Sequence, residues 1–303
     1  MSKYLIKRIL LAIVSVFIVC VITFFAMNAI PGGPFNSEKA LSPAIEKALM
    51  ERYNLDKPVW QQFFIYMKNL FHGDFGVSLK TGRDIGATLL NCFKVSGKIG
   101  GVAALFAVII GVVLGAIAAL FRNKWPDRLI VFFTTLFTAM PSFVFATFLL
   151  MIFAVQLGLV KVFSAEGSSI VLPVIALSAY PTAYVTRLTK TSMLDSLGQD
   201  YIRTAKSKGV STVSVIFKHA LRNALIPVIT YVGPMLAYIL TGSLVVENIF
   251  NIGGLGQQFV KSINNRDYPL IMGTTIFLAV IMVVMNLLSD IMYKVVDPRI
   301  KFD

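Results

Sequence analysis

The chain has 303 residues, of which 56% are hydrophobic and only 14% charged, against about 25% charged in an ordinary soluble domain. Its apolar residues come in long unbroken blocks rather than at amphipathic spacing, so the solvent for those blocks is lipid. The formal net charge of +13 does not mark a nucleic-acid binder, because the Lys and Arg residues lie between the blocks and not along one face of a soluble module.

Six stretches carry no charged residue: 9–30, 99–121, 129–160, 167–186, 223–246 and 268–289. About 20 helical residues at 1.5 Å each cross the roughly 30 Å hydrocarbon core. Only a helix satisfies its backbone within one segment there. The expected fold class is therefore all-α, a polytopic membrane protein with six transmembrane helices.

Lys3, Lys7 and Arg8 precede the first block as they would in a signal peptide. Its 22 uncharged residues exceed the roughly 7 to 15 of a signal h-region, so it reads as a retained helix. Cys20 lies inside this block as a small packing residue, and with only Cys92 for company it makes no disulfide framework. In the following segment, 31–98, Ser42 and Pro43 read as an N-cap and first helical position. Val59, Trp60, Phe63, Phe64, Met67 and Leu70 recur at helical spacing after Asp56 and Pro58. Two short helices packed on the outer mouth of the bundle are expected, in preference to a partner-docking surface.

The third block is too long for one span and is expected to run into an outer loop near Gly158. Pro141, Pro173, Pro181, Pro227, Pro234 and Pro269 fall in the later helices and predict bends that neighbouring helices compensate. Gly97 with Gly101, and Gly111 with Gly115, have the spacing of close helix contacts, read as internal packing.

Lys and Arg set the orientation. The amino-terminal tail, the segment around residues 122–128, the segment 187–222 and the carboxy-terminal tail hold 16 of them; the short connections opposite hold only Lys161, Lys261 and Arg266. Both termini are therefore expected in the cytoplasm and the segment 31–98 outside.

No catalytic equipment is legible. Gly97-Lys98 lacks the Ser or Thr of a phosphate loop at Ile99, and Cys92 stands where its first glycine belongs. His72 and His219 are far apart and no cluster has metal-ligand spacing, so no metal site and no catalytic residue are expected. The blocks carry no acidic residue at mid-depth, with Glu247 and Asp290 at block ends. A proton-coupled carrier is thereby disfavoured, and the energy for transport would come from another subunit.

The most informative segment lies between the fourth and fifth blocks. Asp200, Tyr201, Arg203, Thr204, Ala205, Lys206 and Lys208 can form a short polar helix. Gly209 can end it in the left-handed conformation, and Ser211 can cap the next helix. There Val213, Ile216, Phe217, Ala220 and Leu221 form an expected apolar face.

This segment resembles the cytoplasmic EAA loop of ATP-binding-cassette importer permeases, in the form of the peptide branch. There an Arg-Thr-Ala run, here Arg203-Thr204-Ala205, replaces Glu-Ala-Ala, and the loop glycine is Gly209. His219-Ala220-Leu221-Arg222, followed by Pro227, departs from the general pattern but is similar to the peptide branch. The resemblance extends over nearly the whole chain, to the B-type oligopeptide permease subunits. It is carried by Ala29 through Pro34, Arg52 through Pro58, His72-Gly73-Asp74-Phe75-Gly76, Val246-Glu247, Gly253-Gly254-Leu255-Gly256, Asn265-Arg266-Asp267-Tyr268 and Asp297-Pro298-Arg299.

The resemblance implies a type I importer permease in a bacterial inner membrane. It divides the chain into 1–94 (first helix and outer segment), 95–295 (transporter domain with its coupling loop at about 187–223) and a tail, 296–303. The implied partners are a second homologous permease, two cytoplasmic ATPase subunits, an extracytoplasmic peptide-binding protein, the peptide substrate and membrane lipid. ATP and Mg would be bound by the ATPase partners, with no cofactor in this chain. The implied coupling residues are Asp200, Tyr201, Arg203, Thr204, Ala205, Lys206, Lys208, Gly209 and His219. The substrate-contacting residues are unknown from sequence, with Asn286, Thr138 and Ser142 only candidates. A dipeptide, nickel or glutathione importer, a stand-alone carrier or channel, and an integral membrane enzyme remain alternatives.

Overall fold

In a computed structural model describing residues 2–31, 33–34, 43–161, 169–242 and 244–296, the described residues are helical apart from turns and one isolated bridge between Val77 and Asp84. Ser42, Gly32, Gly167 and the motif Asp297-Pro298-Arg299 lie outside these residues. The helices are α1 (Ser2–Ala29), α2 (Pro43–Arg52), α3 (Val59–Phe71), α4 (Ile85–Leu120), α5 (Trp125–Ala139), α6 (Ser142–Leu149), α7 (Val171–Leu197), α8 (Asp200–Ser207), α9 (Thr212–Ser214), α10 (Arg222–Gly242), α11 (Leu244–Phe250), α12 (Leu255–Asn264) and α13 (Tyr268–Val296). Two π-helical segments, Leu150–Gln156 and Val215–Leu221, continue α6 and α9.

Among the described residues, four helical spans, Ile6–Ala29, Ile85–Leu120, Thr212–Leu240 and Tyr268–Met292, are long and apolar enough to cross a membrane. The third block departs from a simple span. It breaks between α5 and α6 with a bend of 107°. Met140, which precedes Pro141, is extended at φ −84° and ψ 127°, because the proline ring disfavours the α region for its predecessor. Counted as one, the bent pair makes a fifth span. The fourth block belongs to α7, whose 27 residues run on through Arg187 and Lys190. By contrast, Pro181 is accommodated within α7, and Pro227 and Pro234 within α10.

The chain forms two compact units, residues 1–96 with 253–283, and residues 97–252 with 284–303. In the first, α3 packs on α1. Phe63 and Met67 join Cys20, Phe24, Met27, Tyr268 and Met272 in one apolar core. Phe24 and Phe63 meet edge to face at 5.3 Å between ring centres, an arrangement aromatic quadrupoles favour. Cys20 is a packing residue as expected. The Tyr66 phenol is raised above its ordinary range by burial.

Several of the short motifs singled out in the sequence are joints of this unit. The Asp74 carboxylate accepts from the Gly76 amide at 2.8 Å. The turn that follows is fastened by buried Asp267, which accepts from the Ser78 hydroxyl and, at 3.1 Å, from the Leu79 amide. Arg266 donates to the Pro31 carbonyl at 3.0 Å. Asp267 therefore ties the 77–84 turn to the start of α13.

In the second unit, α7 is the most enclosed helix, packed against α5, α6 and α10. Gly111 and Gly115 let α4 approach it closely. A Cβ on Gly111 would lie 2.7 Å from the Val185 side chain, and one on Gly115 would lie 2.6 Å from the Thr186 carbonyl oxygen. Asp127, buried, pairs with Lys190 and accepts from the Asn123 amide at 2.9 Å, tying the start of α5 to α7. Glu247, expected at a block end near headgroups, is instead buried on α11.

Gly115→Val should destabilise the protein by about 1–3 kcal/mol through overpacking against backbone that cannot yield. Gly101→Val, where a Cβ meets nothing within 4 Å, should be near neutral. Thermal unfolding of the two variants in detergent checks the contrast.

Candidate functional site

The segment 200–222 folds as the expected helix, glycine turn and second helix, with one difference in how it seats. Helix α8 begins with Asp200 in its first turn and ends on Lys206 and Lys208, the charge order its dipole favours. Gly209 takes φ 76°. Its amide donates to the Lys206 carbonyl at 3.0 Å, and the Val210 amide donates to the Ala205 carbonyl at 3.2 Å. This paired 5→2 and 6→1 closure is a Schellman motif, which needs the left-handed residue at its centre. The Ser211 hydroxyl then accepts from the Ser214 amide at 3.4 Å and starts the next helix.

The difference lies in the second helix. Val213 and Phe217, expected on the buried face, are 66% and 65% exposed. Of the expected face, Ile216 and Leu221 pack partly buried against the seat and Ala220 is buried, so that the fully buried residues are Val215, Ala220 and Ala224. The cause is the π geometry of Val215–Leu221. An i→i+5 bonding pattern widens the turn and brings positions i, i+5 and i+9 onto one face. These three join Ile202 and Ala205 of α8, Met193 of α7 and Ala119 of α4 in one apolar cluster. The elbow is thus seated on the ends of two long helices.

Most of the residues anticipated from the sequence lie on the outward side of this seat. Asp200, Tyr201, Arg203, Thr204, Lys206, Lys208 and Gly209 are exposed. Arg203 and Asp200 approach at 3.7 Å, both exposed, a pairing worth little in water. Ala205 points inward instead and is a seating residue. His219 is half-buried on the π segment, and its carbonyl accepts from the Asn223 side chain at 3.2 Å. That same amide donates to the Tyr201 hydroxyl at 2.9 Å, strapping α8 to α10. Val213 and Phe217 add an exposed apolar patch beside the basic helix that sequence periodicity assigned to the core. The spacing of the small residues Ala220 and Ala224 after Val215 was the available signal.

Among the pathway candidates, Ser142 lines a cavity of about 210 Å³ at the α5–α6 break. The Thr138 hydroxyl accepts from Arg187 at 3.1 Å, and Asn286 is exposed on α13. Among the described residues no group of three or more His, Cys, Asp or Glu side chains is arranged to hold a metal ion.

An all-helical bundle with several apolar spans, a broken span and a basic elbow seated on helix ends defines a polytopic membrane transport component. The chain belongs to the family described as binding-protein-dependent transport system inner membrane component, whose model matches residues 111–302; the model for the amino-terminal part of that membrane component matches residues 1–96. It is 46% identical to a dipeptide transport system permease, DppB, of Bacillus subtilis, over 99% of this chain and 98% of that one. It is 40% identical to an oligopeptide transport system permease, OppB, of Haemophilus influenzae, over the whole length of both. Among solved structures, the inward-facing MetNI methionine ABC transporter superposes with a TM-score of 0.55, covering 69% of this chain and 95% of that one at 15% identity. That likeness is one of fold.

Gly209→Val should strain the turn by about 1–2 kcal/mol or more, since a β-branched residue resists positive φ. Gly209→Asn, which tolerates that region, should cost less. Co-purification of an ATPase partner with each variant, alongside thermal stability, measures the difference.

Proposed function

We propose that the chain is one permease subunit of an ATP-driven peptide importer, forming half of a translocation pathway with a second, related permease. Two cytoplasmic ATPase subunits bind and hydrolyse ATP with Mg, and an extracytoplasmic binding protein delivers the peptide. This chain hydrolyses nothing itself. The observation that carries the reading is similarity from end to end, over 98–100% of both partners' length, to permeases named for peptide transport.

In this reading α8 seats in a groove of one ATPase. Arg203, Lys206 and Lys208 provide its charge, and Val213 and Phe217 provide apolar contact beside it. ATP binding draws the ATPases together and carries the elbow with them. Ile202, Ala205 and Ala220 share a packed cluster with Ala119 and Met193, so displacement of the elbow is displacement of the ends of α4 and α7. Close-packed interiors move between discrete arrangements rather than deforming smoothly, and the bundle switches its access.

The reading takes six spans, α7 being the sixth: 27 residues at 1.5 Å each reach about 40 Å. It places both termini in the cytoplasm, following the Lys and Arg distribution.

The substrate in this reading is an oligopeptide. The 46% identity to a dipeptide permease favours dipeptides as the second reading. ATP-dependent uptake by the reconstituted four-subunit assembly with its binding protein, over a length series from dipeptides upward, should extend beyond dipeptides. Uptake confined to dipeptides selects the second reading, and no ATP-dependent uptake of any peptide refutes both. Transport by this chain alone in liposomes would make it a stand-alone carrier. A carboxy-terminal reporter active only in the cytoplasm tests the orientation.

A further inference from the structure

Helix α7 has a single exposed stripe along most of its length. Between Leu172 and Leu197 the exposed residues are Tyr180, Tyr184, Arg187, Thr191 and Asp195. They recur at i, i+4, i+7, i+11 and i+15, one face of a helix. None is aliphatic. The exposed residues of α1 show the opposite character: Leu10, Leu11, Ile13, Val14 and Phe17, the chemistry that lipid accepts. Tyr180 and Tyr184 lie within the fourth uncharged block and Arg187 directly follows it on the elbow side, so polar and aromatic groups replace aliphatic ones where the helix leaves the apolar block. The α7 stripe is therefore suited to water, substrate or protein rather than to lipid.

Neighbouring elements continue the stripe into a wall. From α10, Tyr238 meets Tyr180 at 5.7 Å between ring centres, and Tyr231 meets Tyr184 at 4.3 Å. Tyr180 and Tyr238 also line the cavity of about 210 Å³ at the α5–α6 break, with Met140 and Ser142. Toward the elbow the wall ends on Arg187. One terminal nitrogen of its guanidinium donates to Thr135 at 3.0 Å and to Thr138 at 3.1 Å. Both hydroxyls donate in turn to carbonyls of their own helix, Val131 at 2.8 Å and Thr134 at 2.9 Å, so they are fixed acceptors that hold the arginine in place. No carboxylate among the described residues pairs with Arg187, whereas Lys190, less than a turn further on, is neutralised by Asp127.

We infer that this wall is the chain's surface of the substrate path and that Arg187 receives a carboxylate of the passing peptide. A guanidinium offers five donors in a planar fork matched to a carboxylate. Only one nitrogen is used by the threonines, so the rest of the fork is open. Arg187 lies seven positions after Tyr180 on α7, about 10 Å along the helix. That length holds about three residues of an extended chain, whose side chains and amide planes can lie against tyrosine rings without regard to their identity. The inference rests on the peptide-importer reading for the nature of its ligand, but not for the wetness of the wall.

Two measurements on the assembled complex separate these parts. In a chain carrying Cys20→Ala and Cys92→Ser, Tyr184→Cys should react with a membrane-impermeant maleimide and Val14→Cys should not; equal labelling overturns the wall. Arg187→Gln should then lower uptake of peptides with a free carboxylate about ten-fold or more relative to the same peptides without it, the scale of a lost charge-assisted pair. Amidated against free termini, and Gln against Glu side chains, locate the carboxylate at the terminus or on a side chain. An equal loss for every peptide, or no loss, overturns the role of Arg187. If that variant does not assemble, Arg187→Lys, which keeps the charge without the fork, carries the same comparison with a smaller loss. Labelling of Tyr184→Cys, together with no uptake of any peptide by the complex that keeps Tyr184, refutes the importer reading while leaving the wall in place.

Discussion

Backbone hydrogen bonding in a medium without water is the constraint on which the rest of this molecule depends. It makes every lipid-embedded segment a helix, and it makes a broken helix tolerable only where protein or a cavity covers the break. The break at Met140 and Pro141 borders a cavity that residues of α7 and α10 also line. The close approach of α4 to α7 across Gly111 and Gly115 follows from the same setting. Lipid tails exert no hydrophobic drive between helices, and intimate packing of small residues must hold them together.

On that frame the elbow is a capped and packed unit, and in the proposed coupling it would serve as a rigid lever rather than a flexible loop. Its Schellman closure satisfies the carbonyls at the end of α8, and its apolar side is sealed by Ile202, Ala205, Val215, Ala220 and Ala224. Charge faces outward and packing faces inward within one short helix. In the proposed reading a force applied to the basic side would reach α4 and α7 through this packing. The exposed stripe of α7 begins a short way up the same helix, so the helix on which the elbow is seated also carries Tyr184 and Arg187.

The first unit has a different logic. Its short helix α3 is held to α1 by aromatic packing, and a turn is held by buried Asp267. Asp267 and the run from His72 to Gly76 stood out in the sequence as family marks. In the structure Asp74 and Asp267 are fastenings, holding turns through their carboxylates.

Read alone, the residues determined the all-helical membrane class, the outer helix α3, the glycine turn at Gly209 and the serine cap at Ser211. Each depends on local chemistry: apolar length, helical spacing, positive φ and a side-chain oxygen near free amides. Tertiary structure decided the rest. Whether a proline bends a helix or ends it depends on what covers the freed backbone, so Pro181 stays within α7 while Pro141 divides a span. Which face of the second elbow helix is buried depended on a π turn and its packing partners: Ala220 kept its expected place, Val213 and Phe217 lie outward, and Val215 and Ala224 are buried instead. The wall on α7 was illegible for the same reason. Tyr180, Tyr184 and Arg187 form a surface only because the remaining faces of that helix are enclosed by neighbours brought from distant parts of the chain.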